Sequence, residues 1–188
     1  MMELQGVRLT LHKGVFFPDP SHTNSTSILL NAIPSMIGKS VLDMGCGTGV
    51  LGIYAAIHGA KKVVLTDVKE EALSNTRENI ELNEVTSVCE VITSNLFENV
   101  SGTFDYILGN LPIVDGSWDL DVTTVDLLKK FLTDSKEYLN SDGVVYFTWN
   151  SESDVLALRS FLKDNHFVYD EYEEEGSERI WYLFKVQF

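Results

Sequence analysis

The segment 41–49, Val-Leu-Asp-Met-Gly-Cys-Gly-Thr-Gly, constrains the fold of this chain more than any other stretch. An apolar run ends in Asp43, and a glycine then follows at every second position. An amphipathic segment begins at once, and a second apolar run ends in another acid, Asp67. A strand, a glycine turn, a helix and a strand tipped with an acid together predict a nucleoside-binding half-site.

The alternation of strand and helix patterns continues along most of the chain. Residues 1–20 are predicted to be irregular, with prolines as breakers, and turns are predicted at 142–143 and 173–176. The pattern predicts one α/β domain over residues 1–188, a Rossmann-like, doubly wound, seven-stranded and mostly parallel sheet with a C-terminal antiparallel hairpin. Helices are predicted at 27–33, 50–58, 70–82, 125–139 and 151–164, and strands at 41–44, 63–66, 87–92, 104–108, 144–148, 167–172 and 180–186.

Composition narrows the classes of function. The formal net charge is −14 over 188 residues, and unaided binding of long nucleic acid is disfavoured because it needs a positive surface. No apolar run approaches the length of a membrane span and no signal-like segment opens the sequence, which favours a cytoplasmic protein with no membrane partner. Two isolated cysteines fit a reducing compartment, and the scattered histidines predict no metal site.

The residues around the glycine turn favour S-adenosylmethionine over a dinucleotide. Dinucleotide folds carry a third glycine at the sixth position of GxGxxG, where this chain has Val50. Asp43 is a poor neighbour for a pyrophosphate, but it suits a cation such as the ammonium of an amino acid. Asp67 is placed to accept hydrogen bonds from ribose hydroxyls. S-adenosylmethionine carries an ammonium and a ribose and no phosphate, so it fits both acids.

Longer stretches resemble the class I S-adenosylmethionine-dependent methyltransferases of the small-domain, Asn-Pro-Pro-Tyr type. Residues 41–56 resemble the first motif of that family, residues 60–67 resemble the second, and an asparagine-rich helix follows. The resemblance implies S-adenosylmethionine as the cofactor and an N-terminal segment, 1–34, that covers it. The alternative is a Rossmann-like protein that binds something else, such as an NAD(P) oxidoreductase.

The resemblance also implies the cofactor contacts. Asn95 stands where the family usually has an aspartate that holds the adenine amino group, and a carboxamide accepts that hydrogen bond more weakly than a carboxylate. A turn residue is the alternative role for Asn95. Thr26 aligns with a threonine before the first helix, or it caps that helix. The implied cofactor-binding residues are Thr26, Asp43, Gly45, Cys46, Gly47, Gly49, Asp67, Val68, Asn95, Leu96 and Asn110.

The segment Asn110-Leu111-Pro112-Ile113 follows the fourth core strand and resembles the Asn-Pro-Pro-aromatic motif of methyltransferases that act on planar nitrogens. Such nitrogens are poor nucleophiles because their lone pair is delocalised. Two acceptors that hold both N–H bonds can aim the lone pair at the methyl group. The resemblance implies that Asn110 Oδ1 and the Leu111 carbonyl are these acceptors, and Pro112 helps to fix that carbonyl in extended geometry.

The motif departs from the family pattern at two positions. Leu111 replaces the first proline, and Ile113 replaces the aromatic that stacks on a flat substrate group. Trp118 and Tyr106 are the candidate substitutes for that aromatic. No general base is required, because the methylated nitrogen can lose its proton to water. His22 is a candidate base, and an ordinary loop histidine is its alternative role.

Together these features predict an N-methyltransferase that acts on a protein side chain. The acidic surface suits basic partners such as translation factors or ribosomal proteins. Two alternatives stay open. One is an RNA base N-methyltransferase, aided by a basic, activating partner subunit. The other is a cofactor-binding subunit that has lost catalysis, which the changes at Leu111 and Ile113 suggest.

Overall fold

The computed structural model describes residues 1–18, 24–114, 122–176 and 178–188. None of the helices in these ranges is long and apolar enough to cross a membrane. The helices are α1 (Ser25–Ala32), α2 (Val50–Ile57), α3 (Glu70–Leu82), α4 (Thr124–Ser135) and α5 (Val155–Asp164), with a 3₁₀ turn at Lys136–Tyr138. The strands are β1 (Met2–Leu4), β2 (Val7–Leu9), β3 (Ser40–Met44), β4 (Lys62–Asp67), β5 (Cys89–Thr93), β6 (Phe104–Gly109), β7 (Leu139–Asn150), β8 (Val168–Glu175) and β9 (Ile180–Gln187).

Seven of the described strands form one sheet in the order β5-β4-β3-β6-β7-β9-β8. The strands from β5 to β7 in this order are parallel to one another, whereas β9 runs antiparallel to both β7 and β8. Helices α1, α2 and α3 pack side by side, and α4 packs against α5. Right-handed crossovers place these two groups on opposite faces of the sheet. The predicted fold class is confirmed, including the closing antiparallel hairpin.

Strands β3 and β6 are neighbours from which the chain winds outward in both directions. Their carboxyl ends are paired, with Met44 beside Gly109. At such a switch point the loops after the two strands separate to opposite faces and leave a crevice between them. The glycine turn follows β3 and the Asn110 segment follows β6, so the fold itself brings the two predicted sites together.

The central elements are buried because helices cover the sheet on both faces. All five residues of β3 are buried, and so are the four residues 63–66 of β4. Helix α4 is amphipathic instead, with Leu128, Phe131 and Leu132 buried. Continuous apolar runs for the strands and a periodic apolar stripe for the helix are the patterns that such burial demands.

The irregular structure predicted for residues 1–20 is wrong over residues 2–9, where β1 and β2 form an antiparallel hairpin. The turn between them is Gln5-Gly6, and both residues have positive φ angles, 47° and 84°. Three-residue strands are too short to show a periodic pattern. Burial of Leu4, Val7 and Leu9 against the rest of the chain stabilises them.

The predicted boundaries around β7 also need correction. Helix α4 ends at Ser135, not at Leu139, and Leu139 already belongs to β7. The turn predicted at 142–143 lies inside this strand, where the register with β6 jumps: Phe104 pairs with Leu139, but Tyr106 pairs with Val144. The extra residues of β7 form an irregularity, so the turn signal in the sequence is real although the strand continues past it.

Two further boundaries are set by tertiary contacts. Helix α5 begins at Val155, not at residue 151 as predicted, and is capped by Asp154, whose side chain accepts from the Ala157 N–H at 2.8 Å. The acid-rich residues 173–175, predicted as a turn, extend β8 because pairing with β9 continues to Glu175. Strand pairing here overrides the low strand propensity of glutamate.

Three asparagines of α3 and its C-terminal end hold residues 8–12, which run from β2 into the segment after it. They stand four residues apart, a rise of about 6 Å along a helix, and they contact every second residue of an extended segment, a rise of about 6.6 Å. The matching repeats allow each carboxamide to pair with backbone N–H and carbonyl groups as a neighbouring strand would. The pairs are Asn83 with Arg8 (2.9 and 2.7 Å), Asn79 with Thr10 (2.7 and 3.1 Å), and Asn75 with the His12 N–H (3.1 Å) and the Thr10 carbonyl (3.0 Å).

Asn79 is the central member of this asparagine ladder and is fully buried. Its Nδ2 also donates to the Thr48 carbonyl of the glycine turn at 2.9 Å. The neighbouring Thr76 donates its hydroxyl to the Gly47 carbonyl at 3.0 Å. Helix α3 therefore links the N-terminal segment to the glycine turn.

Replacement of Asn79 by alanine should lower the free energy of unfolding by about 3 kcal/mol. The change leaves the Thr10 N–H and the Thr48 carbonyl without the partners they have in the interior. Urea unfolding followed by circular dichroism measures the change. Asn31→Ala is the matched control, since it removes an exposed asparagine whose Oδ1 accepts from the Gln5 side chain. The control should lose less than about 0.5 kcal/mol, and an equally small loss for Asn79→Ala would contradict the ladder's role.

Candidate active site

A cavity of ≈ 680 Å³ lies at the carboxyl edge of the sheet, over the switch point between β3 and β6. Its walls come from the loops after β3, β4, β5 and β6, from the ends of β7 and β9, and from residues 14–16 and 25–26 of the N-terminal segment. Cavities of this size are typical of sites for small molecules and cofactors. Strand β2 of the N-terminal segment packs elsewhere, against α2 and α3.

The glycine turn depends on left-handed backbone. Gly45, Gly47 and Gly49 have φ angles of 69°, 55° and 80°, a region that residues with a side chain rarely adopt. A Cβ on Gly45 would lie 3.0 Å from Leu111 Cδ2, and a Cβ on Gly49 would lie 3.0 Å from Thr76 Cγ2. Gly49 is not among the residues that line the cavity, so its glycine serves the packing of the turn on α3.

Asp43 lies under the turn and is 1% exposed. Its Oδ2 accepts from the Gly52 N–H at 2.9 Å. Burial raises the pKa of the Asp43 carboxyl to about 7, against the lowering effect of the Gly52 hydrogen bond, and the nearby charge of Asp67 raises it further. Asp43 borders the cavity. A buried carboxyl with this pKa gains most from a cationic neighbour.

Asp67 ends β4 at the cavity wall and also helps to shape the turn. Its Oδ2 accepts from the Gly47 N–H at 3.1 Å, and its Oδ1 accepts from the Lys69 N–H at 2.9 Å. Each carboxylate oxygen keeps further capacity to accept a hydrogen bond. Val68 follows at the same wall, with its side chain 56% exposed.

The loop after β5 brings Asn95 and Leu96 to the cavity. Leu96 has a φ of 49°, an unfavourable angle for a leucine, and the Ser94 hydroxyl holds its carbonyl at 2.7 Å. Asn95 Nδ2 donates to Glu98 at 3.1 Å. The Asn95 Oδ1 is then the atom that can accept from an amino group.

Asn110 follows β6, and two threonines orient its carboxamide. The Thr148 hydroxyl of β7 donates to Asn110 Oδ1 at 2.9 Å, and Asn110 Nδ2 donates to Thr26 Oγ1 of α1 at 3.1 Å. Thr26 and Thr148 are 1% and 2% exposed. The structure thus places Thr26 against Asn110, and the N-cap position of α1 is Asn24 instead.

The residues after Asn110 in the motif are held by the glycine turn and by two hydroxyl groups. Leu111 packs against Gly45, and the hydroxyls of Thr124 and Ser153 both donate to the Ile113 carbonyl. The side chain of Ile113 is buried in the core. These contacts fix the backbone of the segment, and they explain why an aliphatic residue is accommodated at the position of the family's aromatic.

The cavity collects the predicted site residues from five separate parts of the chain. Trp118 and His22 lie outside the described residues. Tyr106 makes an edge-to-face contact with Tyr146 in the sheet and does not line the cavity. Of the predicted residues, those that line the cavity are Thr26, Asp43, Gly45, Cys46, Gly47, Asp67, Val68, Asn95, Leu96, Asn110, Leu111 and Pro112.

Asn150 and Trp181 are among the cavity residues that sequence reasoning missed. They face each other across β7 and β9 in the antiparallel register, and both line the cavity. A polar residue at the end of a parallel strand is a signal that could have identified Asn150. No comparable signal marks Trp181, because the pairing of β9 with β7 decides which residue of β9 lies at the carboxyl edge of the sheet.

A comparison with known proteins decides the family. The family model described as the methyltransferase small domain matches residues 6–174. The chain belongs to this family. Its cofactor is accordingly S-adenosylmethionine, and the protein is a methyltransferase.

Proteins similar to this methyltransferase carry names with different substrates. A protein of Methanocaldococcus jannaschii, whose name proposes protein N5-glutamine methyltransferase activity, is 32% identical over 163 residues, 80% of each chain. Ribosomal RNA small subunit methyltransferase C of Escherichia coli is 34% identical over 149 residues, 79% of this chain but 41% of that relative. The ribosomal protein L11 methylase of Lactobacillus delbrueckii subsp. bulgaricus has a TM-score of 0.72 at 24% identity, over 97% of this chain and 86% of that one.

The residues at the sheet edge fit the cofactor of the family. A Cβ on Gly47 would meet nothing within 4 Å, so the turn leaves open space at this position, and Asp43 and Asp67 border the same cavity. We expect Asp43 to hold the ammonium, Asp67 the ribose hydroxyls and Asn95 the adenine amino group. When bound, S-adenosylmethionine supplies an electrophilic methyl group on a sulfonium.

The affinity for S-adenosylhomocysteine should rise with pH between about 5.5 and 7.5. Burial keeps Asp43 protonated up to a pKa of about 7, and an ammonium prefers the carboxylate, so binding below that pH must release a proton. Isothermal titration calorimetry should show up to about a tenfold gain per pH unit below 7 and a plateau above it. Asp43→Asn should weaken binding and remove this slope, and a slope unchanged in that variant would contradict the assignment.

The same group makes the stability of the unliganded protein depend on pH. The folded pKa of Asp43 lies above its ordinary value of 3.8. Its stabilising contribution is therefore complete below about pH 3.8 and is lost as the pH rises through about 7. Thermal unfolding of Asp43→Asn should show a smaller decline over this range than that of the unchanged protein.

Proposed function

We propose that this methyltransferase methylates a side-chain nitrogen of a protein substrate, with a glutamine-type carboxamide as the acceptor in a translation factor or ribosomal protein. The observation that carries the proposal is the oriented carboxamide of Asn110 at the cavity wall. One lone pair of Oδ1 accepts from Thr148, and Nδ2 is occupied by Thr26. The second lone pair of Oδ1 is left for a substrate N–H.

The chemical step needs positioning above all. Asn110 Oδ1 and the Leu111 carbonyl each accept one N–H of the substrate amide, which turns the nitrogen lone pair toward the methyl carbon. The C–N bond forms as the C–S bond breaks, and sulfur keeps the electron pair. The methylated nitrogen then loses one proton to water. A side-chain base is not part of this scheme.

The charges around the cavity support a protein substrate. The chain carries a net charge of −14. Arg179 at the cavity wall is paired with Glu152 at 2.5 Å and with Glu178 at 3.3 Å. This arrangement offers little attraction to a phosphate backbone and suits a basic protein. The M. jannaschii relative, which is matched over most of both chains, has a name that points the same way.

An RNA base is the second candidate acceptor, and Trp181 is the observation that favours it. This indole lines the cavity near the sheet edge and could stack on a flat base. The similarity to a ribosomal RNA methyltransferase is consistent with that role. An activating partner subunit and a cytoplasmic location remain predictions from the sequence.

Asn110→Ala should lower the rate of methyl transfer by at least about 100-fold, because the substrate nitrogen loses one of its two acceptors. The affinity for S-adenosylhomocysteine, measured by calorimetry, should fall much less. Asn165→Ala is the control, since Asn165 is an exposed residue that bonds to the Phe161 carbonyl of α5. Normal transfer by Asn110→Ala would overturn the catalytic assignment.

Labelling of a cell lysate tests the acceptor class directly. With S-adenosylmethionine tritiated on the methyl group, the label should enter material that protease releases and nuclease does not. Complete proteolytic digestion of the labelled protein should yield N5-methylglutamine, and acid hydrolysis should release the label as methylamine. Label that nuclease releases would replace the protein proposal with the RNA one.

A further inference from the structure

We infer that Asn150 binds the substrate: its Nδ2 donates a hydrogen bond to the acceptor atom next to the nitrogen that receives the methyl group. The inference rests on the proposed function, because it takes that nitrogen to be held by Asn110. It adds a donor to the two acceptors already described, and this donor comes from a different strand.

Asn150 lies on the substrate side of Asn110. Along the carboxyl edge of the sheet, the order is β4 with Asp67, β3 with the glycine turn, β6 with Asn110, and then β7 with Asn150. Asn150 is two residues beyond Thr148, so the two side chains lie on the same face of β7, about 6.6 Å apart along the strand. Thr148 itself contacts Asn110. Asn150 is therefore the next polar group past Asn110 and away from Asp67.

The carboxamide of Asn150 has its oxygen hydrogen-bonded within the protein and its Nδ2 available to a ligand. Its Oδ1 accepts from the Glu152 N–H at 3.0 Å, which fixes the orientation of the carboxamide. The residue is 2% exposed and lines the cavity. Among the residues that the structure describes, none accepts a hydrogen bond from Nδ2. Nδ2 is not among the buried polar atoms that lack a partner, so it is open to the cavity and can donate to a ligand acceptor there.

The chemistry of the substrate supplies such an acceptor. In a primary carboxamide the carbonyl oxygen is bonded to the same carbon as the nitrogen. A site with two acceptors for the N–H bonds and one donor for this oxygen binds the whole group. An amine of lysine type has no adjacent acceptor and would leave the donor unpaired, so Asn150 favours amides over amines.

Trp181 and Arg179 support this corner of the cavity. Trp181 pairs with Asn150 in the register of β7 and β9, and both line the cavity. The guanidinium of Arg179 lies 5.8 Å from the centre of the indole ring, and Glu152 fixes that guanidinium. Glu152 is also the residue whose N–H holds Asn150. Non-covalent contacts thus hold the residues of this corner in fixed positions, as a group that positions a substrate requires.

Asn150→Asp separates the binding role from the structural one. Aspartate has the same shape and still accepts from the Glu152 N–H, but it turns the donor into an acceptor. The initial rate of protein labelling, measured over a dilution series of the lysate, should fall by about 10- to 100-fold. The affinity for S-adenosylhomocysteine should stay within about twofold, because Asn150 lies away from the predicted cofactor contacts. Asn165→Asp, the same change on the surface of the protein, should leave the labelling rate unchanged.

The pH dependence gives a readout that a purely structural role would not move. The carboxyl introduced by Asn150→Asp regains a donor when it is protonated. The ratio of the rate of this variant to that of the unchanged protein should therefore rise as the pH falls from about 8 to about 6. A ratio that stays near one at all pH values would overturn the inference. A reduced ratio that does not change with pH would overturn it as well, because it would indicate a structural defect.

A binding measurement keeps the test independent of turnover. With S-adenosylhomocysteine present, addition of Nα-acetylglutamine methylamide should shift the Asn150 side-chain signals in a ¹⁵N–¹H spectrum. The matching probe with a free side-chain amine, Nα-acetyllysine methylamide, should not shift them. Signals that do not move would overturn the inference. If the unchanged protein labels only nucleic acid and the Asn150 signals still respond to the amide, the proposed function fails while the inference about Asn150 stands.

Discussion

The left-handed glycine turn after β3 is the constraint on which the rest of the structure depends. At three alternate positions the backbone takes φ angles between 55° and 80°, which would cost a residue with a side chain roughly 1–2 kcal/mol each. The turn lets the chain reverse within a few residues and start α2 directly beside β3. It also brings Gly45 against Leu111, so that the glycine turn and the Asn110 segment share a wall of the cavity.

Polar side chains of β3 and α3 support the turn, although polar groups are unfavourable to bury. Burial of the Asp43 carboxyl disfavours its charged form and raises its pKa to about 7. Thr76 and Asn79 hold two carbonyls of the turn from α3. Such sites give up stability in the free protein and regain it when the ligand binds.

The surroundings of Asn110, the residue proposed to bind the substrate, are assembled from residues that are far apart in the sequence. Asn110 contacts Thr26 and Thr148, which lie 84 and 38 residues away from it. Each threonine fixes one side of the same carboxamide, and no local pattern around Asn110 indicates either of them. The Leu111 and Ile113 departures become understandable in this context, because one packs on the glycine turn and the other is anchored through its carbonyl.

The sequence by itself determined the order of the elements, the fold class and the two acids that flank the turn, because apolar periodicity and obligatory glycines are local signals. It also placed the Asn110 segment at the edge of the sheet, since parallel strands share that edge. Only the tertiary structure decided the hairpin at residues 2–9, the docking of the segment after it by Asn79, and the arrival of Asn150 and Trp181 in the cavity. Those outcomes depend on strand register and on pairs of distant residues, whose energies appear only when the whole chain is packed.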